Sequence, residues 1–590
     1  MAIKRYTASA DNTIVNAYEP NLRTRGTGAN AGQADILETF SIYGRVTTSS
    51  QELSRILIKF PVTDISTDRT NGVVPASGSV SFYLRMHNAE HSKTVPRDYT
   101  ISVYTVSQSW QEGVGLDLEG YEDLTIDNEG SNWMSASNTA YWKDINNTVL
   151  AGGSYITGAE PNGLGDNADT DQAIFIFNQT LSTGIEDLEL DVTPVVEQWI
   201  AGTYSNYGFG VHLSASYEAD ISGTADTVTS RKPGQLALDD DDTTQSVIYN
   251  PSGSSKSYFT KRFFSRGTEY FFRRPVIEAR WNDAIKDDRG NFFYSSSLAT
   301  NEYNLNTIYF YNYVRGQLSD IPALGADKRI YVSLYSGSVG GFYSDQGGGD
   351  GDDVPPSNYP VSGTTSDNTG SIQILSLDGA GHVNGPNSAV VGNLLSVTGG
   401  IVSTGIYSAS FAFTGSEKLN TIYDVWFTGS DTVTSANDAI TQYFTGAIKP
   451  TTLRAENRAH RPTHHLNITN LRGKYRANET ARFNLYVRNR FWDPTVYTVA
   501  NSTAPSTNIV SASYSVYRII DAYTAIPYGT GSDKHTVLSY DVSGNYFDFD
   551  MSLLEPGYAY GLKFSFYDNA LSSWVQQPDT FKFRVEDYEY

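Results

Sequence analysis

Apolar and polar residues alternate with period two along most of the chain, the signature of half-buried strands. Ile56, Ile58 and Phe60 alternate with Leu57 and Lys59, and Val80, Phe82, Leu84 and Met86 with Ser81, Tyr83 and Arg85. Ile330, Val332 and Leu334 repeat the pattern, as do Phe483, Leu485 and Val487, and then Phe547, Phe549 and Met551. One face of each run is expected to pack on a second sheet while the other meets water. Asn-Gly pairs at Asn71-Gly72, Asn162-Gly163 and Asn384-Gly385 supply turn chemistry between runs.

Two stretches break this period. In DVTPVVEQWIAG, Val192, Val195, Val196, Trp199 and Ile200 follow helical spacing, with Thr193 able to cap, Pro194 suited to the first turn and Gly202 suited to end it. SANDAITQYFTG offers a weaker helix through Ile440, Tyr443 and Phe444. The charged stretch Asp283–Asn291 reads as a linker, residues 345–358 as a long exposed loop, and Lys449–His465 as a further break. The expected domains are therefore 1–285, 292–450 and 451–590, an all-β chain of serial β-sandwiches.

Composition supports this reading. At 590 residues the chain is too long for one core. An aromatic share of 13%, with 41 Tyr and 27 Phe, suits strands better than helices. A net charge of −23 argues against nucleic-acid partners and anionic membranes. No apolar run is long enough for a transmembrane helix, and MAIKRYTASADN lacks the apolar core of a secretory signal. The absence of Cys excludes disulfides, thiolate metal sites and a Cys nucleophile.

Candidate chemistry is sparse. Asp239, Asp240, Asp241 and Asp242, and then Asp345, Asp350, Asp352 and Asp353, are the candidates for a structural Ca²⁺, since hard cations need several converging oxygens. Neither follows the EF-hand spacing, and solvated acidic loops are the far commoner use of such clusters. His460, His464 and His465 suggest imidazole ligands, but Pro462 interrupts any helix that would align them. With 65 acidic residues, no carboxylate pair for glycoside hydrolysis stands out, and no nucleophile elbow is present. No catalytic residue and no cofactor are expected. The strip KRFFSRGTEYFFRR, Lys261–Arg274, interleaves basic and aromatic residues; alone it suggests stacking on nucleic acid.

Asp11–Ile14, SRILIKFPVTDI (Ser54–Ile65), SGSVSFYLRMH (Ser77–His87), ISVYTVSQSWQEG (Ile101–Gly113), LDVTPVVEQWIAG (Leu190–Gly202), NYGFGVHL (Asn206–Leu213) and FFSRGTEYFFRRPVIEARW (Phe263–Trp281) follow one another in an order that resembles the DNRLRE family of β-sandwich domains. The resemblance implies an N-terminal jelly roll of the carbohydrate-binding-module type, with 111–185 and 215–260 as insertions. It places Trp133 and Trp142 in an inserted loop as candidate glycan contacts, and makes Lys261–Arg274 a strand pair and turn whose aromatics point inward. A basic edge there would suit an acidic neighbouring subunit. Lys474–Arg490 and Gly544–Phe566, with Tyr558 as a corner tyrosine, resemble an immunoglobulin-like sandwich. The whole is similar to structural proteins of tailed-phage virions, particularly of marine phages infecting cyanobacteria. That resemblance implies a non-enzymatic neck, tail, baseplate or fibre-base component, a homo-oligomer assembled in the host cytoplasm and bound to other virion proteins. A host-surface glycan-binding adhesin and a polysaccharide depolymerase are the alternatives.

Overall fold

A computed structural model describes residues 2–20, 25–44, 51–90, 95–116, 130–144, 147–156, 175–221, 247–296, 304–324, 329–336, 374–376, 396–414, 421–428, 441–452, 464–490, 492, 496, 506–569 and 571–587. The protein is all-β, built of serial sandwiches. It divides into two compact units. The first comprises Met1–Asp283 with Gly529–His535 and Leu553–Glu555; the second comprises Ala284–Tyr528, Thr536–Ser552 and Pro556–Tyr590.

In the first unit a four-stranded antiparallel sheet runs in the order Ile3–Thr7, Val276–Trp281, Val80–Met86, Leu188–Asp191. It faces a seven-stranded sheet ordered Tyr258–Phe264, Ile36–Tyr43, Gln51–Lys59, Phe209–Leu213, Tyr99–Thr105, Ile176–Leu181, with Ala10–Val15 also paired to Gln51–Lys59. Phe82, Leu84 and Ile277 from one sheet and Ile56, Ile58, Val103, Phe209 and Val211 from the other fill the core between them. The helix Thr193–Ala201 forms as its spacing requires: Val195, Val196 and Trp199 face that core, and Gly202 ends it at φ 73°, a left-handed angle that glycine adopts without strain. Thr193 does not cap it, however. Its hydroxyl donates to Asp191 and accepts from the Phe82 amide instead, stitching the helix start to the sheet. A second helix, Val62–Thr70, was not signalled by the sequence pattern; Val62 and Ile65 are its buried residues, and Asn71-Gly72 closes it rather than joining two strands.

The water-facing side expected for Gln51–Lys59 is also covered. Leu57 joins Ile14, Leu53, Val106, Trp133, Ala136 and Trp142 in a second core on the opposite face of the large sheet. Residues 130–144 and 147–156 thus form a lobe that buries a face period-two logic leaves wet.

In the second unit, Leu305–Tyr311, Ile406–Thr414, Ser396–Ser403, Ile330–Ser336, Ile422–Thr428 and Thr441–Ile448 form one sheet, with Ile374–Ser376 parallel to Ile406–Thr414. Phe310, on the first of these strands, lies 5.6 Å from Trp426 and 5.5 Å from Phe444 on the last two, so the sheet curls around its own core. Thr441–Ile448 is a strand paired antiparallel with Ile422–Thr428, which corrects the helix expected through Tyr443 and Phe444; Ile440 lies outside the described residues.

The linker expected at Asp283–Asn291 begins where the first unit ends, at Asp283, and from Ala284 the stretch is bonded into the second unit. Asp287 N–H donates to the Tyr540 carbonyl, and Asp288 accepts from the Tyr540 hydroxyl and the Thr307 amide, each of these two bonds 2.7 Å long. Arg289 grips Asp424, whose carboxylate also accepts from the Trp426 indole. Burial first, against the opposing pull of Arg289, pushes the Asp287 carboxyl up to about 6.

The last region is a four-stranded sheet (His464–Ile468, Thr480–Asn489, Gly544–Asp550, Ser539–Asp541) beside a five-stranded one (Lys474–Arg476, Ser573–Glu586, Ala559–Asp568, Ala512–Arg518, Thr524–Ile526). Tyr514 stacks on Phe547 at 4.2 Å between them. Tyr558 carries the Arg518 guanidinium 4.7 Å above its ring.

Candidate functional site

The Lys261–Arg274 strip divides into two chemically different halves. Its first half lies in the edge strand of the large sheet, Tyr258–Phe264, where Lys261, Phe263 and Phe264 are buried. Its second half leaves the strand and turns on itself. The Phe271 amide donates to the Glu269 carbonyl and the Arg273 amide to the Tyr270 carbonyl, giving one 3-10 turn that Pro275 prevents from continuing. Tyr270 is 50% and Phe271 60% exposed, which corrects the expectation that all of these aromatics point inward.

Two arginines complete the turn. The Arg273 guanidinium lies 5.1 Å from the centre of Phe264 and 5.8 Å from that of Tyr270; Arg274 lies 5.3 Å from that of Phe271. Arg274 also closes the loop on itself by donating twice to the Thr268 carbonyl, at 3.1 and 2.9 Å. Neither arginine makes an ion pair among the described residues. The base is fixed by Arg266, whose guanidinium holds Glu112 at 2.7 and 2.6 Å and whose amide donates to Asp11 at 2.6 Å. Asp11 is buried, and burial first, then the charge of Glu112, pushes its carboxyl up to about 7 against the pull of Arg266. The turn therefore presents two aromatic rings, each backed by a cation, on a firmly held loop. Such a surface suits a planar or acidic partner.

The other sequence candidates fall elsewhere. Trp133 and Trp142 are fully buried, a correction to their expected role as glycan contacts. The Trp142 indole donates to the Asn132 carbonyl at 2.8 Å, and the Trp133 ring lies 5.6 Å from the Arg55 guanidinium; neither has a free face for a sugar. Asp239, Asp240, Asp241, Asp242, Asp345, Asp350, Asp352 and Asp353 lie outside the described residues, as does His460. His464 and His465 open a strand that turns them to opposite faces, one against Phe566 and the other exposed, so the two do not converge on a metal ion. Among the described residues no cluster of three or more His, Asp or Glu is placed to hold one.

Sequence reasoning missed the buried charge networks. Under the lobe of residues 130–144 and 147–156, Arg55 forks onto Glu218 with bonds of 3.1, 3.0 and 2.9 Å and donates to the Gly152 carbonyl. His212 stacks on Tyr104 at 4.6 Å, gives its Nδ1 hydrogen to the Leu213 carbonyl, and leaves Nε2 buried without a partner. Burial, seconded by Arg55, pushes its imidazole down to about 4. Gly210 is required beside it: a Cβ there would lie 2.1 Å from the Tyr155 ring. Charged residues inside apolar strands, Arg55 in SRILIKF and Glu278 with Arg280 in VIEARW, were the available signal.

Fold and surface together define an all-β protein of serial sandwiches with a cation-backed aromatic turn on its first unit. No protein-family model and no curated protein matches the chain. Solved structures similar to it include a chimeric titin Z1Z2 tandem (13% identity over 32% of this chain and 74% of that one, TM-score 0.13). The two-domain immunoglobulin fragment of DIP-gamma matches at 10% identity over 49% and 91%, TM-score 0.11. A DUF4785 family protein from Legionella pneumophila matches at 8% identity over 98% and 92%, TM-score 0.12.

Proposed function

We propose that the chain is a non-enzymatic structural protein of a tailed-phage virion, working through protein–protein interfaces, and that its first unit is a DNRLRE-like jelly roll. The observation that carries the interface reading is the Tyr270–Arg274 turn: exposed rings backed by arginines that lack acidic partners among the described residues, on a chain of net charge −23. Aromatic and arginine side chains are the residues that most often anchor protein contacts. A second copy of this acidic chain is the partner that its charge favours.

Sedimentation of the full chain at low and high salt tests the interface. Salt-sensitive association that Tyr270→Ser with Phe271→Ser reduces at least tenfold is expected; a monomer at every concentration overturns self-association. Density-purified particles from lysates containing the protein test the setting. Antibody should label them at one fixed position, and recovery only outside the particles would sink the virion assignment. The exposed rings also favour a second reading, stacking on a host-surface glycan, which selective binding of the full chain to a glycan array would support.

A further inference from the structure

The buried half of the same strip holds an unusual neighbourhood. Lys261 is 2% exposed, and its Nζ lies 2.6 Å from Asn88 Oδ1, 2.6 Å from the Glu186 carbonyl and 3.1 Å from the Gly184 carbonyl. Asn88 follows the strand Val80–Met86 of the four-stranded sheet, whereas Lys261 belongs to the seven-stranded one. Backbone bonds from Ala89 to Arg262 and from Phe264 to His87 hold the two segments side by side. The Asn88 amide N–H donates to Asp187 at 2.7 Å, and the same carboxylate lies 3.3 Å from His87 Nδ1. Glu186 Oε2 and the Tyr99 hydroxyl are buried without a partner.

We propose that Lys261 and Asn88 condense into an intramolecular isopeptide bond that staples the two sheets of the first unit together. The geometry is that of the reactants. With Oδ1 2.6 Å away and a carbonyl bond of about 1.2 Å, the amide carbon lies within about 3.8 Å of Nζ. An amine and an amide do not condense in water because the amine is protonated and the encounter brief; burial addresses both. Burial pushes the Lys261 amine down to about 8, against the pull of Asp187 and Glu186, so roughly one molecule in ten holds it uncharged at neutral pH.

The free amine of Lys261 attacks Asn88 Cγ, forming the new C–N bond. A carboxylate accepts a proton from the attacking nitrogen and returns it to the departing amide nitrogen, breaking the old C–N bond. The products are one secondary amide and one ammonia, with no change of oxidation state. Asp187, held by the Asn88 backbone amide and His87 and close enough for its charge to act on Lys261, is the carboxylate assigned to this proton transfer.

The intact mass of the purified full chain, with peptide mapping, decides it. The expected mass is one ammonia below that of the sequence, with a branched peptide joining Lys261 to Asn88. Asn-Gly sites also lose ammonia on cyclising, so Lys261→Arg is the control. A full-mass wild-type chain after incubation at alkaline pH, or a wild-type digest in which the ammonia loss maps to Asn-Gly sites and no Lys261–Asn88 branched peptide is found, overturns the proposal. Asp187→Asn should slow the condensation at least tenfold; an unchanged rate removes Asp187 from it while mapping still judges the bond.

Discussion

Glu278→Gln is the sharpest test of how the first unit holds charge in its interior. Glu278 lies in VIEARW, a strand buried at every position, and its carboxylate is fully enclosed. It accepts from Arg5 Nε at 2.7 Å, Arg85 Nη1 at 3.1 Å and Arg280 Nε at 2.7 Å. Glu189 shares the burden, 2.8 Å from Arg280 and 3.5 Å from Arg85. Burial by itself raises the Glu278 pKa, but the charges of Arg85, Arg5 and Arg280 outweigh it and hold the carboxyl well below its usual range. A glutamine keeps the shape and one acceptor oxygen while leaving three guanidinium groups around a neutral amide. Breaking a buried ion cluster from one side costs about 3–5 kcal/mol. At about 2–4 °C per kcal/mol for a domain of this size, one calorimetric transition of the full chain should fall by about 10 °C. The pH dependence has a fixed sign. A depressed carboxylate contributes its stability above its unfolded pKa and loses it as the pH falls, so the variant's deficit should be full at pH 7 and shrink on acidification. A shift under about 2 °C, or a deficit that grows in acid, would refute this account of the cluster.

Trp142→Ala should cost about 3–5 kcal/mol, because a fully buried indole and its bond to Asn132 are lost together; an unchanged denaturant midpoint would mean the lobe is not packed as described. His212, pushed down to about 4, is protonated more readily in the unfolded chain, so its contribution is complete above about pH 6.5 and is lost as the pH falls toward 4. His212→Phe keeps an aromatic ring beside Tyr104 and should flatten the fall in unfolding free energy between pH 6.5 and 4.5 relative to wild type; equal slopes would exclude His212 as the titrating group.

Strand positions were the most legible feature of the chain. Val80–Met86 and Thr480–Asn489 form where the alternation places them, since a strand's two faces are written directly into a period of two. The helix Thr193–Ala201 was equally plain, because five apolar residues at helical spacing and a terminal glycine are local signals. Thr441–Ile448 was misread because Tyr443 and Phe444 satisfy either period over so short a run; the hydrogen bonds of Ile422–Thr428 decide for a strand. Half of the candidate surface was visible as the composition of Lys261–Arg274, but which rings face water depends on where the strand ends and Pro275 follows.

The sequence by itself therefore determined an all-β chain, the strands at its clearest alternating runs and the helix Thr193–Ala201, all of which follow from contacts between near neighbours. Only the tertiary structure decided that Trp133 and Trp142 are core, that Glu278 meets an arginine 273 positions away, and that Lys261 lies against an asparagine 173 positions earlier. Burial and charge pairing are properties of surfaces that come together after the strands have formed, and no local period records which surface meets which.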